Sequence, residues 1–194
     1  MKKIIFVFLV VSIPFTTGLS NNKLVVNIGY KQNYSCLDQP EVINAKIKLH
    51  GININLGIKK NNFEYGVYYG IGDMQKYGKL DVQYGVVPSS VGNMHNFGLY
   101  SNFYLSSFIK NNDFFVEKFN FYATVKMGGY FVPEKDSDFS PNGLGFNCFP
   151  GFGASYYLFK RFGLFGETGY DYYPTVNHVK MSKVLFRIGI SVRL

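Results

Sequence analysis

The histidines are the first side chains with which this sequence could do chemistry, and they are widely separated. The chain has three, His50, His95 and His178. A zinc site or a Ser-His-acid triad needs several ligating or catalytic groups in close mutual geometry. None of the three has a cysteine or carboxylate at ligand spacing, and none belongs to a His-x-Ser pair on a strand with an acid within reach. The sequence therefore predicts no metal site, no cofactor and no enzymatic activity.

The two cysteines are the second set of reactive groups. Cys36 and Cys148 are the only cysteines in the chain, and an even number of cysteines in an oxidising compartment is a disulfide candidate. A bond requires the two Cα atoms to lie within about 7 Å of each other. A disulfide between Cys36 and Cys148 and two unpaired thiols are both compatible with the sequence.

Four charged residues recur on the polar side of segments in which apolar and polar residues alternate. They are two acids and two bases: Glu64, Lys126, Glu167 and Arg187. If these faces meet inside a closed structure, unpaired charges there would be costly. We therefore predict a structural ion network that neutralises itself, with a salt bridge between Glu167 and Arg187 that Lys126 could join. Whether the four meet depends on the elements that carry them.

The first 20 residues have the three parts of a secretory signal peptide. Lys2 and Lys3 precede the apolar run Ile4–Val11, and small or weakly polar residues follow up to Ser20. This apolar run is well short of the roughly 20 residues that a membrane-spanning helix needs. We predict cleavage after Ser20, with residues 21–194 forming one mature domain.

Composition limits the class of the mature domain. The chain of 194 residues is 47% hydrophobic and 19% aromatic, with 21 glycines. Such a content of aromatic residues and glycine is typical of strands and turns. The formal net charge is +8, but the chain has no basic helix and no Lys/Arg cluster longer than a pair. Nucleic-acid binding, which needs a clustered basic face, is therefore not expected.

Strict alternation of apolar and polar residues predicts eight strands. The segments lie within residues 24–31, 45–58, 63–71, 96–105, 119–127, 151–158, 164–172 and 183–194. The fourth segment is apolar on both parities, so its facing is ambiguous. The parity changes near His50–Gly51, where we predict a β-bulge. A tight turn between the second and third segments is predicted to place Ile58 opposite Phe63.

The connections alternate between short and long. Short turns follow Ile58 and Leu158, an intermediate one follows Leu105, and the other connections are longer and rich in Asn, Asp, Ser, Pro and Gly. Short turns at one end and long loops at the other are typical of outer-membrane barrels. The predicted fold is an all-β, eight-stranded antiparallel up-and-down transmembrane β-barrel with both termini periplasmic.

Alternation alone does not say which face is buried. The apolar face points inward in a soluble lipocalin-like barrel and outward in a membrane barrel. Charges of both signs mixed with small residues on the polar face favour a narrow wet lumen over an apolar ligand cavity. A barrel of about eight strands is filled by its own side chains, here with Tyr68, Tyr122 and Tyr157 predicted to point inward, so a wide pore is not expected.

The C-terminal quarter resembles a known family. The stretch from Pro150 to Tyr170 (PGFGASYYLFKRFGLFGETGY) is similar to a hairpin of the outer membrane protein β-barrel domain family, the OmpX/OmpA-like eight-stranded barrels of Gram-negative bacteria. The last strand is similar to the signal read by the barrel-assembly machinery, although it ends on Leu where the family usually has an aromatic residue. The residues of that signal would be Phe186, Ile188, Ile190, Val192 and Leu194.

The resemblance implies location better than role. It implies the bacterial outer membrane, with lipid, lipopolysaccharide and the barrel-assembly machinery as partners, and an unknown extracellular partner of the loops. The function expected is structural or one of surface interaction, as an adhesin or tether. An exported soluble barrel binding an apolar ligand and a lipid-A-modifying barrel enzyme are the alternatives.

Overall fold

Eight antiparallel strands make up nearly all of the described chain. The computed structural model describes residues 23–36, 46–77, 89–105, 118–133, 143–173 and 183–194, and the predicted signal peptide of residues 1–20 lies outside them. The strands are β1 (Lys23–Cys36), β2 (Lys46–Lys60), β3 (Phe63–Tyr77), β4 (Ser89–Tyr104), β5 (Phe119–Val132), β6 (Gly143–Tyr157), β7 (Phe162–Asp171) and β8 (Lys183–Arg193).

Each strand pairs with the next in the sequence, and β8 pairs with β1, so the sheet closes into a barrel. The predicted fold class, a closed eight-stranded antiparallel barrel, is confirmed. We call the end where β1 begins and β8 ends the lower end, and the opposite end the upper end. No helix in the described part of the chain is long and apolar enough to span a membrane.

The β2–β3 hairpin has a tighter turn than predicted. Lys60, not Ile58, pairs with Phe63, so only Asn61 and Asn62 remain in the loop. Asn61 has a φ of 53°, and asparagine tolerates this left-handed backbone conformation, which two-residue hairpin loops require. The predicted pairing of Ile58 with Phe63 is therefore wrong by two residues, and Ile58 lies opposite Tyr65.

The predicted bulge at His50–Gly51 is also wrong. β2 pairs without interruption through this region with both of its neighbours. The register shift instead lies between β3 and β4, where Met74 pairs with Gly92 and the next pair skips Val91. Gly92 has a φ of 137°, which favours glycine. The parity appeared to change at His50 because Leu49, an apolar residue, faces the interior.

The structure resolves the facing of β4. Phe97 and Leu99 point outward, and Leu99 is 67% exposed. Asn96, Tyr100 and Tyr104 point inward and are buried. The tyrosines on β4 therefore belong to the lumen, a placement that alternation could not decide because both parities of this segment contain aromatic residues.

Glycines on the inner wall make room for the luminal side chains. Five cross-strand pairs are Gly–Gly: Gly29–Gly189, Gly51–Gly72, Gly57–Gly66, Gly98–Gly128 and Gly151–Gly169. In each pair, a Cβ added to one glycine would lie 2.4–2.6 Å from the Cα of the other. Aromatic side chains lie against several other inner glycines, as Tyr122 does against Gly153 and Tyr130 does against Gly145. The high glycine content thus allows aromatic residues to fill a narrow barrel.

Two of the three connections at the lower end are tight. They are the Asn61–Asn62 turn and residues 158–161. The third, residues 105–118, is longer than any connection at the upper end, so its description as intermediate is wrong. Every connection at the upper end lies mostly outside the described residues.

Candidate functional site

The outer surface of the barrel is apolar. The exposed outward side chains on β1, β2 and β8 include Ile28, Ile52, Ile54, Ile188 and Ile190. Similar side chains continue around the other strands, among them Val67, Leu99, Val125, Met127, Phe152 and Leu164. Removing this much apolar surface from water is strongly favourable, so the outer face is suited to contact with an apolar environment.

Aromatic side chains mark both edges of this apolar belt. At the lower edge, the rings of Phe63 and Phe103 lie 5.0 Å apart, and Phe119 packs against Phe121 at 4.6 Å. At the upper edge, aromatic residues pack against the histidines: Tyr30 against His50, and Tyr69 and Phe131 against His95. Two aromatic girdles flanking an apolar band are characteristic of barrels that cross a membrane.

A row of polar residues ends the belt at its upper edge. Gln32, His50, Asp73 and Asn93 follow one another in register across β1 to β4. On β3 the belt runs from Phe63 to Ile71. At about 3.3 Å per residue and a strand tilt of about 40°, that is about 20 Å along the barrel axis. The side chains at both edges add to this height, which brings it close to the height of about 25 Å that the apolar band has in outer-membrane barrels.

The interior is polar and charged at mid-height. Glu167 lies directly opposite Arg187 in the β7–β8 register, and the two side chains form a salt bridge. Lys126 reaches the same carboxylate from β5, with its Nζ 2.9 Å from Oε2 of Glu167. Tyr122 donates a hydrogen bond to the other oxygen at 3.2 Å. The structure therefore brings together three of the four predicted network residues, all buried.

Glu64, the fourth predicted residue, lies in a separate cluster. It is fully buried and accepts hydrogen bonds from Tyr100 at 2.8 Å, from Asn102 at 3.2 Å and from Tyr104. Asn27 donates a fourth hydrogen bond at 3.4 Å. These donors are all neutral side chains, so Glu64 is hydrogen-bonded apart from the Glu167 cluster, while the ring of Tyr100, one of its donors, has its centre 5.7 Å from the Nζ of Lys126.

Sequence reasoning missed a second buried pair of charges. Lys31 and Asp171 face the lumen and are only 3% and 4% exposed. Tyr173 donates a hydrogen bond to Asp171 at 2.9 Å. In the sequence, both charged residues occupy the polar positions of their alternating segments, and this pattern could have identified them as luminal. With them, the buried charges of the described lumen are three bases and three acids.

Side chains fill the lumen almost completely. The predicted inward residues Tyr68, Tyr122 and Tyr157 are all buried. Among Lys31, Asn96, Asn147 and their neighbours lies a polar cavity of about 10 Å³, which is about the space that one water molecule needs. The described lumen therefore provides no continuous channel at this level.

An apolar cluster closes the lumen above the charges. Its six residues are Leu49, Met74, Met94, Tyr130, Val132 and Tyr173. Leu49 and Met74 are cross-strand partners, and the ring of Tyr130 packs edge-on against that of Tyr173 at 5.3 Å. Apolar side chains replace polar ones on the inner face here, so the polar-inside rule fails at the upper end of the barrel.

Two cations cover the lumen at the lower end. The Nζ of Lys59 lies 3.4 Å from the centre of the Tyr104 ring. The guanidinium carbon of Arg193 lies 3.4 Å from the centre of the Tyr157 ring. Cations stacked on aromatic faces in this way are attracted to the ring electrons, so both side chains are held at the mouth rather than extended into solvent.

The strands that carry the two cysteines are not neighbours in the barrel. Cys148 is a free thiol on the outward parity of β6, opposite Met127 and bridged to Tyr172. Cys36 is the last residue of β1, a strand that pairs with β2 and β8 but not with β6. Two unpaired thiols, the other outcome compatible with the sequence, fit this arrangement.

The histidines do not gather catalytic groups in the described chain. His50 lies between Gln32 and Asp73 in register, and its ring packs against that of Tyr30 at 6.5 Å. His95 lies between Ile71 and Phe131, and its Nδ1 is 2.7 Å from the Tyr69 hydroxyl. His178 lies outside the described residues. Within those residues, no three His, Cys, Asp or Glu side chains are placed to hold a metal ion.

The five residues of the predicted assembly signal share one face of β8. Four of them are exposed on the outer surface, and Val192 is half-buried. The same strand places Arg187 and Arg193 on the inner face. Outward placement leaves these side chains accessible, while their recognition by the barrel-assembly machinery stays a prediction.

Comparison with known proteins identifies the fold. No protein-family profile matches the sequence, and no curated protein sequence matches it. Neisserial surface protein A superposes with a TM-score of 0.56 at 15% identity, covering 90% of this chain and 97% of that one. The Yersinia pestis outer membrane protein Ail, solved in a phospholipid bilayer nanodisc, superposes with a TM-score of 0.52 at 13% identity, covering 89% and 99%. The chain has the fold of these eight-stranded outer-membrane barrels.

Proposed function

We propose that this protein spans the bacterial outer membrane as a closed barrel and acts at the cell surface, as an adhesin or tether, through its upper loops. The observation that carries the proposal is the distribution of side chains. Apolar residues cover the outside, with Leu99 and Ile188 each 67% exposed, whereas Glu64 and Lys126 are at most 1% exposed. Only a lipid environment makes such an arrangement favourable, because it buries the apolar belt and leaves the charges paired inside.

The sealed lumen supports a role outside the barrel wall. The tyrosines and the ion-paired side chains occupy the interior, and the apolar cluster closes it above. A barrel of this size is a rigid support rather than a conduit. We infer that function resides in the four connections at the upper end. They are longer than the two tight turns at the lower end, although residues 105–118 at the lower end form a longer connection still.

The proposed orientation has both chain ends in the periplasm. β1 begins and β8 ends at the lower end, where the two tight turns also lie. Outer-membrane barrels place their short turns on the periplasmic side. We also propose that residues 1–20 direct export and are removed after Ser20, and that the barrel-assembly machinery inserts the mature chain.

Location can be tested by fractionation and by gel mobility. The protein should be recovered with outer membranes, should be extracted only by detergent, and should migrate differently in gels before and after heating. Recovery of the folded protein in the soluble periplasmic fraction would overturn the proposal in favour of a soluble exported barrel. That alternative requires an apolar cavity, whereas the described lumen is filled by its own side chains, which are charged at mid-height and packed into an apolar cluster above.

Orientation can be tested with single cysteines in a background lacking Cys36 and Cys148. Asn61→Cys places a thiol in the lower turn, and Ser140→Cys places one in an upper connection. A membrane-impermeant maleimide added to intact cells should label only the Ser140→Cys variant, and both variants should react after lysis. Labelling of the Asn61→Cys variant alone on intact cells would reverse the proposed topology.

The surface role can be tested by loop exchange. Cells expressing the full chain should attach to a host-cell or matrix surface better than cells without it. Replacing residues 134–142 by a Gly/Ser linker should reduce attachment, whereas replacing residues 106–117 at the lower end should not. Equal attachment by cells with and without the protein would refute the adhesive role while leaving the location untouched. A lipid-A-modifying activity would instead appear as a change in the mass of lipid A upon expression.

A further inference from the structure

The lower mouth of the lumen concentrates positive charge. Lys23 on β1 pairs in register with Lys59 on β2, and on the other side of β1, Arg193 on β8 pairs with Val25. Lys59 and Arg193 therefore stand on the two strands that flank β1, two strand spacings apart and offset by two residues along the strands, which places their backbones about 12 Å apart. Both side chains point inward, where the curvature of the barrel brings them closer together.

The two cations are held in place before any ligand arrives. Lys59 is stacked on Tyr104, and Arg193 is stacked on Tyr157. Tyr104 donates a hydrogen bond to Glu64, and the Tyr157 hydroxyl lies 2.7 Å from Oγ of Ser191. Each ring is thus fixed at its hydroxyl end. Cations on fixed rings lose little freedom on binding, which is how preorganised sites gain affinity.

The positive charge at the mouth is not neutralised by salt bridges. Glu64 acts electrostatically on Lys59, but its carboxylate accepts hydrogen bonds from neutral donors in the lumen. The salt bridges of the described lumen lie higher, at Glu167. Nε and Nη2 of Arg193 are buried and make no hydrogen bond to the protein. Buried guanidinium donors without an acceptor are costly, so an anion at this position would be favoured.

We propose that the lower mouth binds a phosphate-type anion between Lys59 and Arg193, with Lys23 completing the site. A guanidinium can present two parallel N–H groups to phosphate oxygens, and a lysine ammonium adds a point charge from the other side. An inorganic phosphate and the phosphate of a lipid headgroup at the lower rim share this chemistry. The site requires only the folded barrel, so its test is independent of any surface role of the upper loops.

The first experiment titrates inorganic phosphate into the barrel refolded in dodecyl maltoside, a detergent without a phosphate group. Backbone amide resonances of residues 23–25 and 191–193 report on the site, and sodium chloride at matched ionic strength is the control. A saturable shift with phosphate but not with chloride is expected. Equal shifts with both salts would reduce the effect to charge screening and overturn the proposal.

Variants at adjacent positions assign the binding. Lys59→Gln and Arg193→Gln should each weaken phosphate binding at least tenfold. Lys60→Gln makes the same charge change one residue away on the exposed outer face and should bind like the parent. Lys59→Arg retains the charge and should retain binding. Heat-dependent gel mobility checks that each variant is folded. Equal binding by the Lys59→Gln and Lys60→Gln variants would overturn the assignment.

A second experiment separates the two sources of phosphate. The barrel is prepared in dodecyl maltoside micelles with or without added phosphatidylglycerol, and inorganic phosphate is titrated into both. If the ligand is soluble, the titration is the same in the two preparations. If it is a lipid headgroup, phosphatidylglycerol alone shifts the reporter amides and the added phosphate shifts them no further. Reporter amides that respond to neither source would refute the site.

Discussion

Replacing Glu167 by glutamine should be the most damaging isosteric change in the lumen. Its carboxylate is the shared acceptor of Lys126 and Arg187, and all three residues are buried. Glutamine keeps the volume but removes the negative charge, so two buried cations lose their counter-ion together. Breaking a buried pair from one side costs about 3–5 kcal/mol, and we expect Glu167→Gln to lie at or above the upper end of that range.

Arg187→Gln should cost less, about 1.5–3 kcal/mol. The reason is that Lys126 remains 2.9 Å from Glu167, so the carboxylate keeps a counter-ion. Combining Glu167→Gln with Arg187→Gln should cost less than the sum of the two single changes, since one uncompensated cation is removed together with its partner. Residues that do not interact give additive effects within about 0.5 kcal/mol.

The assay is urea unfolding of the refolded barrel in detergent micelles. The chain has no tryptophan, so unfolding is followed by far-UV circular dichroism and by the unfolded fraction in unheated gels. Strict additivity, or equal costs for Glu167→Gln and Arg187→Gln, would show that Glu167 is not the shared acceptor that holds this cluster together.

Three further predictions concern other parts of the barrel. Gly98→Ala should lower the urea midpoint sharply, because the new Cβ would lie 2.2 Å from a backbone oxygen. Gly166→Ala should leave the midpoint unchanged, because its Cβ would meet no atom closer than 3.8 Å. Similar midpoints for the two variants would contradict the packing argument. Tyr104→Phe should cost about 1–3 kcal/mol in the same assay because buried Glu64 loses a donor, and an unchanged midpoint would show that this hydrogen bond adds no stability. Alkylation of the unfolded, unreduced protein should add two labels by mass; an unchanged mass would indicate a disulfide and contradict the free thiol of Cys148.

Alternation predicts the strands well because it depends on one geometric rule. Successive side chains point to opposite faces, and the parities of β1, β5, β7 and β8 are those that the sequence predicts. The direct pairing of Glu167 with Arg187 follows from the same rule once the hairpin is recognised. Local periodicity therefore predicts both the number of strands and the closest charged pair.

What alternation could not predict depends on contacts across the barrel. β4 is apolar on both parities, and its facing is decided by hydrogen bonds from Tyr100 and Tyr104 to Glu64 on β3. For the same reason the sequence could not show that neutral donors surround Glu64. The inward facing of Leu49 looked like a bulge because the rule of a polar interior was applied over the full height of the barrel. Its cross-strand partner Met74 is likewise an apolar residue that faces the interior. That the two residues lie opposite each other is visible only once the strands are paired.

The two buried carboxylate clusters divide the barrel into halves along the chain. The donors to Glu64 come from β1 and β4, and Glu64 itself is on β3. The partners of Glu167 come from β5 and β8, and Glu167 is on β7. Each acid can thus be satisfied by a sheet of four consecutive strands, before β1 meets β8. During insertion, neither half would need to carry Glu64 or Glu167 into the bilayer without its hydrogen-bond donors, so closing the seam can be a late step that brings Lys31 on β1 together with Asp171 on β7.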